Sequence, residues 1–286
     1  MKVSQQTRSW IQVAPLATVL LVFFGIPMTI VIVVSFFSFE RFDVVPNFIF
    51  DNYLELLQSN FTLRLYLSSF KFALIVWVIT LGIGFTVAYF LVFHVRNTLW
   101  RMALFLLCTV PFWTSNIIRM ISWIPFLGRN GIFNQALMAT GLTDRPLDFL
   151  LFSDFAVVVA YVHLFVLFMM VPIFNSMARI DKSLIEAAYD AGASRWQVVR
   201  EVVIPLSKTG IALGSIFVFT LVMGDFYVIR VMSGGQSATA ASAMSYEIAS
   251  LQYPTAAASA VVLVLVVMIA VGGILTLVDV REELKG

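Results

Sequence analysis

The chain has 286 residues, 60% of them hydrophobic and only 12% charged, whereas a soluble domain carries about a quarter charged residues. With a mean hydropathy of +0.96, this excludes a water-soluble globular protein. The net charge of +2 is too small to mark a nucleic-acid binder, and the single cysteine, Cys108, excludes an internal disulfide or a Cys-rich metal cluster and reads as packing.

A bilayer core of about 30 Å asks for about 20 apolar residues per helix. Six stretches meet this in chain order: Ile11 to Phe39, Phe72 to Phe93, Met102 to Leu127, Phe155 to Asn175, Thr209 to Val231 and Ala256 to Val278. The first exceeds the ~7–15 apolar residues of a signal peptide and has no small-residue cleavage pattern, so it reads as a retained span. The six form a single transmembrane domain over residues 1–286, and membrane lipid is its surroundings.

Lysine and arginine in the connecting segments set the orientation. Eleven fall on one side (Lys2, Arg8, Arg96, Arg101, Arg179, Lys182, Arg195, Arg200, Lys208, Arg281 and Lys285) and four on the other (Arg41, Arg64, Arg129 and Arg145). Both termini are therefore expected in the cytoplasm. Small residues at Ala256 to Ala260 and at Gly272-Gly273 are expected to let helices approach closely, and Pro15, Pro27, Pro111 and Pro172 to kink them.

The sequence has no Walker A glycine pattern, no HExxH and no GxSxG, and Ser207-Lys208-Thr209 lacks the glycines that would cradle phosphate. Neither ATP hydrolysis nor another enzyme activity is expected of it. Two histidines, His94 and His163, are too few for a metal site, and His163 reads as a hydrogen-bonded packing residue.

The connection from 176 to 208 is the most specific part. Asp181 or Ser183 can cap a helix starting near Leu184, and Glu186 lies near its positive end. Ala187, Ala188 and Ala191 smooth its surface, and Gly192 permits a left-handed end or close approach by another chain. A second helix capped by Ser194 carries Trp196, Val199, Val202 and Val203 near one face until Pro205 ends it. On residue type alone, an interfacial loop resting near lipid headgroups remains open.

Glu186-Ala187-Ala188, Gly192 and Val202-Val203-Ile204-Pro205 resemble the EAA loop of bacterial ABC importer permeases, with matching spacing and two apolar exchanges at Val202 and Ile204. The resemblance implies an all-α membrane protein of the type I ABC importer permease fold, with about six transmembrane helices and cytoplasmic coupling helices. It implies that Glu186, Ala187, Ala188, Asp190, Gly192, Ala193 and Pro205 couple to a dimeric ABC ATPase, which would hold the ATP and magnesium. This chain would bind no cofactor and no metal. Further partners implied are a second permease subunit, most simply in a heterodimer, and a periplasmic solute-binding protein, in a bacterial inner membrane.

Pro111-Phe112-Trp113-Thr114-Ser115 with Ile118-Arg119 and Trp123 is similar to the third-helix pattern of PotB-type permeases, the spermidine and putrescine branch. Met223-Gly224-Asp225-Phe226 with Gly234-Gly235 is similar to that branch's fifth-helix ending, although Arg230 and Met232-Ser233 depart from it. Charges inside a bilayer cost ~2.5–3.5 kcal/mol each and normally face a partner or a water-filled path. Arg119 is expected well inside helix three, and Asp225 with Arg230 near the outer end of helix five. These three, with Trp113, Trp123, Phe226 and Tyr227 as aromatic walls for an amine, are the candidate substrate pathway. Arg119 pairing with Asp225, or Arg119 and Arg230 reaching the outer interface, is the structural alternative.

The resemblance thus implies a permease subunit of an ATP-driven importer for a polyamine or related amine. An amino-phosphonate, a sulfonate, an opine-like amino acid or ferric ion is the alternative cargo, and an ATP-independent secondary carrier the alternative class. A carrier of that class calls for internal repeats and midplane ion ligands, and neither is evident.

Overall fold

The computed structural model describes residues 5–40 and 43–277. Helix α1 (Gln5–Leu20) runs through a π turn into α2 (Ile26–Val34), followed by a hairpin of β1 (Ser38–Glu40) and β2 (Asp43–Val45) and by α3 (Asp51–Gln58). Then come α4 (Asn60–Tyr89), α5 (Thr98–Thr109), α6 (Asn116–Ile121), α7 (Trp123–Leu127), α8 (Ile132–Ala139) and α9 (Asp154–Met177). The segment after α9 forms α10 (Lys182–Asp190), α11 (Arg195–Val198) and α12 (Ile204–Leu206), and the chain continues as α13 (Lys208–Gly224), α14 (Tyr227–Met232), α15 (Ala240–Ala249) and α16 (Tyr253–Leu277). Val278, where the sixth helix was expected to end, and Lys2, Arg41, Arg281 and Lys285 lie outside the described residues.

Among the described residues, four helical stretches are long and apolar enough to cross a membrane: Gln12–Val34, Asn60–His94, Asp154–Met177 and Tyr253–Thr276. Two bent pairs, Thr98–Trp113 with Asn116–Ala139 (92°) and Arg195–Leu206 with Lys208–Gly224 (69°), bring the number to six if each is one span. The span expected from Met102 to Leu127, with a kink at Pro111, is instead broken by a 92° bend. Pro111 lies in a 3₁₀ turn, Val110–Trp113, and Thr114 is extended at φ −95°, ψ 152°. A 3₁₀ turn followed by extended backbone leaves the ladder without its i→i−4 partners, so the chain turns instead of kinking. Helix five likewise ends at Gly224 rather than Val231, because Asp225 at φ −85°, ψ 130° leaves the helical region.

Two compact units are present, Met1–Leu63 with Ala243–Leu265 and Arg64–Ser242 with Val266–Gly286. In the first, Ser35 shares a 2.6 Å hydrogen bond with the Tyr53 hydroxyl, and Asn52 donates to the carbonyls of Ser35 and Phe37. These bonds hold the chain after α2 beneath a cluster in which Phe36 stacks on Phe48 at 4.6 Å. Along Gln12–Val34 nothing in the apolar window is buried, as expected of a helix whose neighbours are lipid or another chain.

The second unit is built on α9 against α13. The α9 core residues Ala160, Tyr161, Met169, Ile173 and Met177 are fully enclosed. Close approach is set by glycines on α13: a methyl at Gly210 would stand 2.4 Å from the Pro172 carbonyl oxygen, and one at Gly214 would stand 2.8 Å from Met169 Sδ. Gly272 and Gly273, expected to fill that role, have nothing within 4 Å of an added methyl. Pro172 sits inside α9 without ending it. At the other end of α9, Lys71 of α4 pairs with Asp154 at 2.7 Å, and Trp77 donates to Ser215 at 2.8 Å.

Candidate functional site

Two places converge on function, an exposed elbow after α9 and a stripe along α13. The elbow begins at Asp181, whose carboxylate accepts the Ser183 N–H at 3.0 Å and so caps α10. Those bonds to Ser183 hold the Asp181 carboxyl below the usual carboxylate range, since they favour the charged form. Helix α10 closes in a Schellman arrangement: Gly192 N–H donates to Tyr189 O, Ala193 N–H donates to Ala188 O, and Gly192 sits at φ +85°. A left-handed residue is what this ending needs, and glycine adopts it without steric cost. A methyl at Gly192 would meet nothing within 4 Å, so backbone conformation, rather than close approach within this chain, makes the position special.

After the turn, Ser194 and Gln197 form a reciprocal capping box at the start of α11, which fixes the direction of the second arm. Glu186, Ala187, Asp190 and Pro205 are exposed, and Ala188 and Ala193 are half-buried. Leu184, Tyr189 and Trp196 are 49%, 43% and 67% exposed, so the elbow presents apolar and aromatic surface beside an acid. Of the four side chains expected near one face, Trp196 is exposed, Val199 and Val202 are half-buried and Val203 is buried, together with Val198. The π turn Val199–Val203 takes an extra residue per turn and rotates the inward face.

On α13, Gly210, Leu213, Phe217 and Gly224 recur at helical spacing along one face, with Asp225 at its end. Leu213 and Phe217 are 46% and 48% exposed. Asp225 Oδ1 accepts the Val228 N–H at 2.8 Å and the Tyr161 hydroxyl at 3.2 Å, which ties the break in helix five to the core of α9 and caps α14. Phe226 is 42% exposed, Tyr227 half-buried and Arg230 exposed.

Arg119 is elsewhere, buried on α6, where Nη2 donates to Asn116 Oδ1 and the guanidinium lies 5.9 Å over the Phe112 ring. It makes no pair with Asp225: the salt bridges among the described residues are Lys71–Asp154 and Arg129–Asp148. Trp123 donates its indole N–H to His163 Nδ1 at 2.9 Å, which fixes the imidazole as an acceptor there and bears on packing. Trp113 is 75% exposed and, with Thr109, Phe112, Leu167, Phe168 and Phe217, walls an apolar cleft of about 360 Å³. Among the described residues no group of three or more His, Cys, Asp or Glu converges.

Sequence reasoning had missed Tyr161, Phe168, Phe217 and the two packing glycines. Tyr161, Phe165 and Phe168 share a face of α9, but in a helix that is apolar all round nothing in the sequence distinguishes that face.

Residues 81–282 match the family described as "Binding-protein-dependent transport system inner membrane component". The chain belongs to this family. It is 32% identical over 249 residues to the spermidine/putrescine transport system permease protein PotB of Escherichia coli (strain K12), covering 86% of this chain and 89% of that one. The permease protein YdcU of the same strain is 28% identical over 222 residues, covering 73% and 69%. Among solved structures, a bacterial ABC transporter involved in the import of the acidic polysaccharide alginate superposes with a TM-score of 0.76 at 19% identity, over 94% of this chain and 95% of that one. The same fold recurs, at a TM-score of 0.75, 18% identity and 93% coverage of both chains, in the alginate transporter in complex with alginate pentasaccharide-bound periplasmic protein. This family member therefore has the type I ABC importer permease fold and is an inner-membrane transport component.

Proposed function

We propose that this chain is the permease subunit of an ATP-driven importer that carries a small organic amine, of the polyamine class, into the cytoplasm. The family supports the transport role, and the spermidine/putrescine relatives support the cargo class. In this reading a second permease subunit completes the pathway, a binding protein delivers the amine to the outer face, and separate ATPase subunits hold ATP and magnesium. Both termini then lie in the cytoplasm.

The observation that carries the coupling role is the elbow itself. Two short capped arms meet at a left-handed glycine, with Leu184, Glu186, Asp190 and Trp196 exposed. Such a knob can enter a cleft on an ATPase subunit and pass its movement to α13 through the 69° bend at Ser207. Glu186 would make a charge-assisted contact, Ala187 and Ala188 a close fit, and Gly192 the angle between the arms; Asp190, Ala193 and Pro205 complete the frame. On the membrane side, Asp225 is the acid suited to an ammonium group, with Phe226, Tyr227 and Trp113 offering ring faces. Arg119 is enclosed and braced on Phe112, and its part is to hold the turn before α6; Trp123 holds α7 to α9, and Arg230 stays outside the cargo contacts.

The test is ATP hydrolysis and uptake in the reconstituted transporter. Gly192→Pro fixes φ near −65° where +85° is needed, and Glu186→Lys reverses the charge. Both are expected to leave the subunit inserted but to abolish transport-linked ATPase activity; unchanged stimulation by loaded binding protein in both variants defeats the coupling assignment. For the cargo, Asp225→Asn is expected to weaken amine uptake, and unchanged kinetics remove the amine contact.

A further inference from the structure

The break in helix three lies half-way along its neighbour α9. Before the break Phe112 packs on Phe168 of α9 at 5.3 Å, and beyond it Trp123 donates to His163 of α9 at 2.9 Å. Helix α9 has 24 residues, from Asp154 to Met177, so His163 and Phe168 fall on either side of its middle, each within about 4 Å along the axis at a rise of about 1.5 Å per residue. The 92° turn at 113–116 lies between those two levels, and so at the centre of the span.

That backbone is open and polar. Thr114 is extended at φ −95°, ψ 152°, Ser115 follows at φ −57°, ψ 138°, and no described residue donates a hydrogen bond to the carbonyl of Phe112, Trp113 or Thr114. Thr114, Ser115 and Asn116 are exposed beside them. One turn on, Arg119 is buried; Nη2 donates to Asn116 Oδ1, while Nε and Nη1 meet no acceptor among the described residues. Lipid tails offer no hydrogen bonds, so free carbonyls do not face them. A covering helix from a second permease has its own N–H groups tied up in its ladder and could meet the turn only with side chains. Water supplies donors to the carbonyls and an acceptor to the guanidinium at once, and non-helical backbone at membrane depth, where no protein buries it, lines water-filled cavities.

We propose that the turn at 113–116 lines the water-filled transport path at mid-membrane, where the carbonyls of Phe112, Trp113 and Thr114 stand in for water around the N–H groups of the passing amine. The lining is argued from the backbone alone; the amine contact rests on the cargo reading above. Unwound carbonyls at the centre of a broken span are suited to this, since they present partial negative charge without a carboxylate's grip. The charge of Arg119 opposes a cation that would stay, so the turn passes the amine on rather than holding it.

The test is the reaction of single cysteines with a cationic, membrane-impermeant thiosulfonate in the complete permease–ATPase complex, held in lipid nanodiscs whose two faces are open. Thr114→Cys and Ser115→Cys are made in the Cys108→Ala background, with Ile83→Cys as the control. Ile83 is exposed at the same depth in the unbroken helix α4, since a methyl on its neighbour Gly84 would stand 3.1 Å from the Met170 backbone nitrogen. The reacting thiolate forms in water and not in hydrocarbon, so both turn cysteines are expected to react at least about tenfold faster than the control, in the nucleotide-free or the vanadate-trapped complex. Spermidine at about three times its half-saturating concentration is expected to slow that reaction about fourfold. Rates no faster than that of Ile83→Cys in both states mean that lipid or a partner chain covers the turn, and overturn the proposal. Fast reaction that spermidine does not slow, in a complex that imports spermidine, overturns the carbonyl contact. Fast reaction in a complex that imports no amine sinks the cargo reading alone and leaves the turn on the water-filled path.

Discussion

Gly210 shows how a single residue sets the spacing of the α9–α13 pair. A methyl there would lie 2.4 Å from the Pro172 carbonyl oxygen and 2.6 Å from Ser176 Cβ, and backbone cannot yield as a flexible side chain can. Gly210→Ala is therefore expected to cost about 1–3 kcal/mol, the range for overpacking, seen as a lower midpoint for thermal unfolding in detergent. Gly272→Ala, with open space at the same position, is expected to be neutral or to gain up to about 1 kcal/mol from helix propensity. Equal shifts in the two variants would show that crowding is not the cause. Asp181 gives a residue-scale prediction of pH dependence. Its carboxyl is lowered by its bonds to Ser183, so its capping contribution is present above the ordinary carboxylate pKa and is lost as pH falls through its lowered value. Hydrogen-exchange protection along α10, taken relative to the intrinsic rate at each pH, is expected to fall below about pH 4 in the wild type, and Asp181→Ala to show low protection at every pH.

At the scale of elements, apolar length makes the spans legible and backbone breaks do not announce themselves. The stretch from 102 to 127 is apolar throughout, so its hydropathy cannot tell a straight helix from one turned by 92°. Pro111 signals only a kink; the turn comes from the extended Thr114 three residues later, which no local residue preference demands. The elbow was readable because its signals are local: a capping Asp181, a Gly192 at the end and a Ser194 box. The α13 stripe was not, since which apolar face is left open depends on where α9 lies. After the break, α7 is held to α9 by the Trp123–His163 hydrogen bond. Trp123→Phe is expected to cost about 0.5–1.5 kcal/mol, and the double variant with His163→Phe to cost less than the two single losses added, because the pair shares one bond. Simple additivity in thermal unfolding would show that the bond contributes nothing.

For the molecule as a whole, the arrangement turns on whether each bent pair crosses the bilayer. The residues between α10 and α14 provide the test, because only Arg195–Leu206 with Lys208–Gly224, bent by 69°, separates exposed Ser183 from exposed Gln236. If the pair spans, the two positions face opposite sides; the excess of lysine and arginine near α10 puts Ser183 in the cytoplasm. Single cysteines at these positions, in a Cys108→Ala background that removes the chain's own thiol, can be probed with a membrane-impermeant maleimide. Gln236→Cys is expected to label in intact spheroplasts and Ser183→Cys only in inverted vesicles. The reverse pattern would invert the topology and put the elbow out of reach of any cytoplasmic ATPase. Labelling of both from one side would make the bent pair a re-entrant loop, leaving Asp225 and the elbow on the same face, where one chain could not link cargo release to nucleotide turnover across the membrane.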